Sequence, residues 1–170
     1  KWQNMKYSQQ LFYKNQEVYN NLKRTGKIEL PDFEPILESE KQFFYRNKME
    51  FSFSDSRWLT LEEVKSDNDL GDKNALGFHI PGMWDKILDV KKCHLQADPS
   101  NAIRNAVKQF GLDNHLEFFN TRNQHGFLRT MMIRTSSTGD IMVIFQFFKE
   151  YFSFFFIFII CSFCRLVFSS

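Results

Sequence analysis

Apolar side chains recur along this chain with two different periods, and each period predicts a different element. Leu11, Val18 and Leu22, with Phe12 and Tyr19 beside them, fall at helical spacing and predict a helix from a Ser8 cap to about Arg24. Lys23 and Arg24 would then occupy the last turn, where cations suit the helix dipole, and Gly26 would supply the left-handed C-terminal residue. Pro31 and Pro35 make the next segment a linker, because a proline forces the preceding residue into extended backbone.

From Tyr45 the period changes to two. Met49, Phe51 and Phe53 alternate with Glu50, Ser52 and Ser54, which predicts a half-buried strand over 45–54. The polar excursion between Trp58 and Asn74 carries Glu62, Glu63, Asp67, Asp69 and Asp72 and reads as a surface loop, with a short strand at Trp58 to Leu61. Leu76, Phe78 and Ile80 resume the alternation, Pro81-Gly82 is a turn dipeptide, and Ile87, Leu88 and Val90 return as a third strand closing on Cys93.

Asp98-Pro99 is a helix start, with an acceptor at the cap and a proline at the first helical position, where its missing N–H is harmless. Ile103, Ala106, Val107 and Phe110 form the apolar stripe of that helix, and Gly111 is expected to end it. Residues 126–135, the turn SSTGD and residues 141–148 predict a hairpin whose second strand is apolar on both faces and therefore central in a sheet. The pattern as a whole predicts an α+β fold, with helices packed on a mixed or antiparallel sheet.

Composition changes this picture little. A chain of 170 residues with 43% hydrophobic residues can bury one substantial core, and a net charge of +2 does not by itself announce a polyanionic partner. Three cysteines (Cys93, Cys161, Cys164) make no disulfide framework, and the polar first residues lack the apolar stretch of a signal peptide, so a reducing cytoplasm is the expected compartment. The distribution is lopsided, however: ten of the 21 Phe lie between Phe145 and Phe168. Tyr151 to Cys164 carries no charge and would span about 21 Å as a helix, short of the roughly 30 Å of a bilayer core.

Spacing alone assigns no catalytic or cofactor-binding residue. The sequence holds no Gly-rich phosphate loop, no nucleophile elbow and no His pair at metal-ligand spacing. Cys161-x-x-Cys164 with Cys93 and His94 has the donor types of a zinc site but not the polar surroundings such sites use. Cys93 follows two lysines, an arrangement that lowers a thiol pKa; a small buried residue at a strand end is the plainer reading. The basic residues are more suggestive. Arg46 and Lys48 enter one strand, Lys91 and Lys92 end another, and Arg129 and Arg134 lie on the late hairpin, with Tyr45 and Trp58 near in sequence. Convergence of those strand ends would give a basic rim with aromatic platforms that suits RNA.

Taken in order, the blocks YRNKMEFSFS, LGFHIPG, ILDVKKCHL, the helix after Asp98-Pro99, and GFLRTMMIRT with its return strand resemble the central region of bacterial RNA uracil-5 methyltransferases of the 23S rRNA 5-methyluridine group. The N-terminal KWQNMKYSQQLFYKNQEV resembles the family segment that comes after its Cys-Gly-Gly-Cys, and the likeness extends from Lys1 to about Glu150. The resemblance implies methyl transfer from S-adenosylmethionine to C5 of a uridine in 23S ribosomal RNA, with no DNA or membrane partner. Catalysis in the family uses a cysteine that adds to C6 and a carboxylate that removes the C5 proton, in a Rossmann-like domain, on a base flipped from its stack.

The departures from the family pattern define what this chain is expected to lack. Members that carry a 4Fe-4S cluster place three ligand cysteines just upstream of Lys1 and the fourth at the position of Cys93, so this chain alone is not expected to hold the cluster. Nothing after Glu150 resembles the catalytic, S-adenosylmethionine-binding domain. The expected organisation is an N-terminal helix and linker over 1–40, a central α+β domain over 41–150, and an apolar tail over 151–170 whose T-rich codon usage suggests a shifted reading frame. The expected whole is an inactive fragment of the methyltransferase; the alternatives are a free-standing RNA-binding module or a small protein anchored in a membrane by the tail.

Overall fold

The computed structural model describes residues 2–65, 71–149, 152–161 and 164–169. Asp67 and Asp69 of the acidic excursion, and Glu150 and Tyr151 at the start of the tail, lie outside the described residues. The chain divides into two compact units, Lys1–Gln42 and Phe43–Ser170.

The first unit is one helix and an irregular strand of linker. Helix α1 spans Tyr7–Asn20 and its end loosens into a wider π-type turn over Asn21–Thr25. Ser8 does not cap it: the cap residue is Lys6, no side chain bonds there, and the entry is held instead by Gln10 Nε2, which donates to the Met5 carbonyl at 3.0 Å. Gly26 is not left-handed either, with φ −73°; Lys27 takes that role with φ 50°. Gly26 is needed for close approach, because a Cβ there would sit 2.7 Å from the Leu22 carbonyl oxygen. The linker folds back on α1 through the Ser39 N–H, which donates to the Tyr7 hydroxyl at 2.7 Å, and through Phe33, edge-on to Tyr19 at 5.4 Å.

The second unit is an antiparallel sheet with a helix on one face. Its strands are β1 (Lys48–Ser54), β2 (Ala75–Ile80), β3 (Met83–Asp89), β4 (Leu128–Thr135), β5 (Ile141–Lys149), β6 (Phe152–Cys161) and β7 (Cys164–Ser169). Their order is β3-β2-β1-β4-β5-β6-β7, and every pairing between these strands is antiparallel; the parallel contacts among the described residues are two isolated bridges, Arg57 to Ile87 and Phe118 to Leu128. β5 is central, as its two-sided apolar pattern predicts. The tail is extended backbone in β6 and β7, so a length reckoned for a helix does not apply to it, and no helix among the described residues is long and apolar enough to cross a membrane.

Three local expectations are corrected. β1 begins at Lys48 because the preceding residues bond elsewhere: the Phe44 and Arg46 N–H groups donate to the His94 and Leu95 carbonyls. The segment at Trp58 to Leu61 is not a strand; after a single bridge from Arg57 to Ile87 it turns into the one-turn helix α2, Leu61–Lys65. Its start is a reciprocal capping box, in which the Thr60 N–H donates to Glu63 Oε2 at 2.8 Å and the Glu63 N–H donates to Thr60 Oγ1 at 3.2 Å. β3 stops at Asp89, and Cys93 lies beyond it in a strap, residues 90–96, that crosses the sheet.

Helix α3, Ser100–Asp113, packs over that strap and the sheet. Asp98 acts as predicted, its Oδ1 accepting the Asn101 N–H at 3.1 Å, though Pro99 is the cap residue rather than the first helical one. Gly111 does not end the helix; it is buried within the last turn, where a Cβ would meet Leu128 at 2.9 Å, and His115 at φ 52° turns the chain. Ile103 and Val107 pack on the core, but Phe110 at the end of the stripe stays 61% exposed.

The core itself is Met49, Phe51, Phe53, Leu76, Met131, Ile133 and Val143, aligned by register: Phe51 pairs with Met131 and Met131 with Phe145, while Met49 pairs with Ile133 and Ile133 with Val143. Inside it lies a charge that the pattern hides. Arg104 on α3 is fully buried, its guanidinium 5.0 Å over the Phe51 ring. Its Nε donates to the Val90 carbonyl at 2.9 Å and its Nη2 to the Lys91 carbonyl at 2.8 Å. One turn earlier Asn101 clamps Cys93, accepting its N–H at 2.7 Å and donating to its carbonyl at 3.2 Å.

Arg104→Leu keeps an apolar stem against Phe51 and removes donors to the partly buried Val90 and Lys91 carbonyls. The expected loss is about 3 kcal/mol in urea denaturation, against less than about 1 kcal/mol for Asn105→Ala on the exposed side of the same strap. Equal losses for the two variants would count against this role.

Candidate nucleic-acid interface

Strand alternation gives the sheet a second face, and that face is polar. Opposite the core, β1 presents Lys48, Glu50 and Ser52, whose register partners on β4 are Arg134, Met132 and Thr130; these in turn pair with Met142, Ile144 and Gln146 on β5. Thr130 Oγ1 donates to Gln146 Oε1 at 3.0 Å across this row. At the β2 side, His79 Nδ1 lies 3.0 Å from the Trp84 carbonyl and Nε2 3.2 Å from Ser52 Oγ. A carbonyl only accepts, so Nδ1 carries the proton, and in the neutral ring Nε2 accepts from the Ser52 hydroxyl.

The expected basic rim does not form as one cluster. Lys48 and Arg134 are register partners, both exposed, with Arg46 two residues before Lys48 in sequence. Arg129 stands at the far end of β4, five residues from Arg134 in sequence and roughly 16 Å along the strand. Lys91 and Lys92 belong to the strap on the helix-covered side, where the Lys91 carbonyl accepts from Arg104 and Asn105. The six residues therefore divide between the two faces of the sheet because the strap, unlike a strand, is not part of it.

Arg129 has the most distinctive surroundings. A register slip between Leu128 and Thr130 takes Arg129 out of the alternation, as a bulge does. Its guanidinium lies 5.0 Å from the centre of the Phe119 ring and 5.5 Å from that of Phe148, which meet edge to face at 5.1 Å. No carboxylate pairs with Arg129 among the described residues. Beside it opens a cleft of about 450 Å³ lined by Glu50, Ser52, His79, Phe119, Thr130 and Gln146 among others. Sequence proximity points to Tyr45 and Trp58 as the aromatic platforms; the residues that stack with Arg129 are Phe119 and Phe148, for which sequence spacing gives no signal.

The loop that brings Phe119 here is pinned at several points. Phe119 and Leu128 are tied by the Phe119 N–H, which donates to the Leu128 carbonyl at 3.0 Å, and the Phe148 N–H donates to the Phe127 carbonyl at 2.8 Å. Gly126, at φ 116°, lets the loop pass close to Phe118, whose carbonyl oxygen a Cβ would approach to 2.5 Å. Asn120 Nδ2 donates to Asp55 Oδ2 at 2.8 Å, and Arg122 Nε donates to Asp85 Oδ2 at 2.6 Å. The Arg122 bond holds the Asp85 carboxyl below its ordinary pKa, outweighing the effect of burial.

Cys93 is set apart from this face. It is buried in the core cluster, 5% exposed, clamped by Asn101 and beside Arg104, whose Nη1 is buried without an acceptor. Burial pulls the Arg104 pKa down, and the nearby Cys93, Asp89 and Asp98 act the other way. Among the described residues no three His, Cys, Asp or Glu side chains gather as a metal site, so the donors here do not fit an iron–sulfur cluster on their own.

No family model matches the chain. It is 55% identical over 144 residues to an uncharacterized RNA methyltransferase of Bacteroides thetaiotaomicron, covering 85% of this chain and 32% of the relative. An uncharacterized RNA methyltransferase of Porphyromonas gingivalis is 47% identical over 155 residues, covering 88% and 33%, and one of Chlorobaculum tepidum is 36% identical over 145 residues, covering 85% and 30%. The crystal structure of the Pyrococcus abyssi tRNA (uracil-54, C5)-methyltransferase in complex with S-adenosyl-L-homocysteine shares the fold, with a TM-score of 0.59 and 24% identity over 87% of this chain and 31% of that one. The chain thus spans about a third of the length of the curated relatives it matches.

A depressed carboxyl pKa stabilises the fold above the ordinary aspartate range, and that contribution is lost as pH falls through the folded-state value. The Arg122 Nε–H resonance is therefore expected to shift with a midpoint below Asp85's ordinary 3.8, and Asp85→Asn to abolish the shift. A midpoint at or above the ordinary value would argue against the pairing.

Proposed function

We propose that this chain is the RNA-contacting central part of an S-adenosylmethionine-dependent RNA uracil-5 methyltransferase acting on 23S ribosomal RNA in the cytoplasm. The observation that carries the reading is the 55% identity over 144 residues, 85% of this chain, to an uncharacterized RNA methyltransferase. The fold shared with a tRNA uracil-54 C5-methyltransferase is consistent with uracil C5 as the target atom. The choice of 23S over transfer RNA rests on the sequence resemblance alone.

In this reading the chain supplies grip and orientation rather than chemistry. Lys48 and Arg134, side by side on the polar face, neutralise phosphates at one end of the sheet, with Arg46 leading into them; Arg129 engages the strand at the other end. Lys91 and Lys92, on the other side of the sheet, serve a different segment of a large RNA or none of it. The cofactor, the nucleophilic cysteine and the base that removes the C5 proton are assigned to residues outside this chain. Cys93 is the fourth ligand of a 4Fe-4S cluster only where three further cysteines are supplied from elsewhere.

An RNA-binding module acting alone is the second reading, favoured by Arg129, which stacks on two rings and has no carboxylate partner among the described residues. One set of measurements tests both. With labelled S-adenosylmethionine and a 23S transcript, the purified chain is expected to transfer no methyl group yet to bind RNA with a salt-dependent affinity. Lys48→Ala and Arg134→Ala are each expected to flatten the log–log salt slope by about one. Turnover by the chain would overturn the assignment of the chemistry elsewhere; no binding at low salt would remove both readings.

A further inference from the structure

The polar cleft beside Arg129 differs from a phosphate-binding strip in ways that narrow its ligand. It is a concavity of about 450 Å³, the size of a small planar molecule rather than of an extended backbone groove. One wall is a stack: the Arg129 guanidinium lies 5.0 Å over Phe119 and 5.5 Å from Phe148. The two rings confine the Arg129 guanidinium, a flat, electron-poor group on which a planar ligand in the cleft can stack. The remaining lining carries hydrogen-bonding groups: Glu50, Ser52, His79, Thr130 and Gln146. A guanidinium wall with a polar floor suits an unstacked base, which has π faces and a hydrogen-bonding edge, better than a phosphate, which has no π face.

We propose that this cleft holds a single unstacked nucleobase of a single-stranded RNA segment, stacked against Arg129, which is backed by the buried Phe119 ring, and bonded along its edge by the polar floor. The inference rests on the RNA reading and deepens it, since it assigns one end of the polar face to a base and leaves Lys48 and Arg134 to the backbone. The Glu50 carboxylate, exposed at the rim, only accepts hydrogen bonds when ionised, so the base edge that meets it is one that offers N–H donors. The pinning of the loop by Asn120 and Arg122 is what makes the cleft preformed: both its bonds, to Asp55 and Asp85, are within the second unit and need no ligand.

The test compares two ten-nucleotide strands of equal charge, one an ordinary single-stranded RNA and one abasic throughout, binding to the whole chain and to Arg129→Lys. Lysine keeps the charge and loses the plane. The wild-type chain is expected to bind the base-bearing strand about tenfold more tightly than the abasic one. Arg129→Lys is expected to lose about tenfold on the base-bearing strand and less than about twofold on the abasic one, with the salt slope unchanged. Equal wild-type affinity for the two strands overturns the proposal, with no reliance on any variant. Equal loss on both strands makes Arg129 a phosphate contact and overturns it as well. Failure of the wild-type chain to bind either strand at low salt removes the RNA reading itself, an outcome distinct from both.

Discussion

Arg104 is a permanent positive charge with no solvent around it, and much of the second unit depends on how that charge is accommodated. No carboxylate bonds to it among the described residues; the partners are the carbonyl dipoles of Val90 and Lys91, the Asn105 side-chain oxygen and the face of Phe51. Those carbonyls lie in a strap that is neither helix nor strand; the Phe44 and Arg46 N–H groups satisfy its His94 and Leu95 carbonyls, but no ladder reaches its carbonyls on the α3 side. Arg104, Asn101, Ser100 and Asn105 supply that ladder from one edge of α3, bonding the strap directly or through Gln96. Gln96 extends the chain of bonds to the Ile133 carbonyl on β4, and Lys108 reaches Asp89 at the end of β3. The helix is thus bonded to the sheet by side chains as well as packed on it by Ile103 and Val107.

This arrangement explains which parts of the fold are legible in the sequence. The strands 48–54 and 75–80 are visible because one face is buried and the other wet, which writes a period of two into the residues, and the 128–149 hairpin because its second strand is a continuous apolar run behind a turn. The existence of α3 is equally visible. Its true inner edge is not, because residues 100, 101, 104, 105 and 108 are polar and an apolar stripe beside them reads as the only buried face. The same physics defeats the assignment of glycines: Gly26 and Gly111 are needed because neighbours approach closely, while positive φ falls to Lys27 and His115, whose identities do not announce it. The Thr60-x-x-Glu63 box that starts α2 stands in the sequence, but the reading of Trp58 to Leu61 as a short strand passes over it.

For the candidate interface, the sequence pattern identifies the charged residues and misplaces their grouping. A strand fixes where its own residues point, so Lys48 and Arg134 meet as neighbours through pairing between β1 and β4. It says nothing of a strap, and Lys91 and Lys92 end on the other side. Phe119 is out of reach for a different reason. It belongs to an irregular loop whose course depends on Gly126, on Asn120 bonded to Asp55 across 65 positions of the chain, and on Arg122 bonded to Asp85. Contacts of that range leave no periodic trace.

The bulge at Leu128 to Thr130 connects these points. In a regular strand, Leu128 and Thr130 would share a face and Arg129 would point to the other. Here Leu128 is in the core while Thr130 bonds Gln146 on the polar side, so both faces are served by residues two apart and Arg129 absorbs the change of register. The insertion costs a ladder bond and twists the strand locally. What it gains is placement: Arg129 stays on the polar side as Thr130 does and is turned onto the Phe119 and Phe148 rings at the end of the row. A sheet built only on strict alternation could align Lys48, Glu50 and Ser52 with their partners, but would not set a guanidinium within 5.0 Å of one ring centre and 5.5 Å of another beside them. The irregularity at this one position is therefore what converts a polar sheet face into a cleft with a stacking wall.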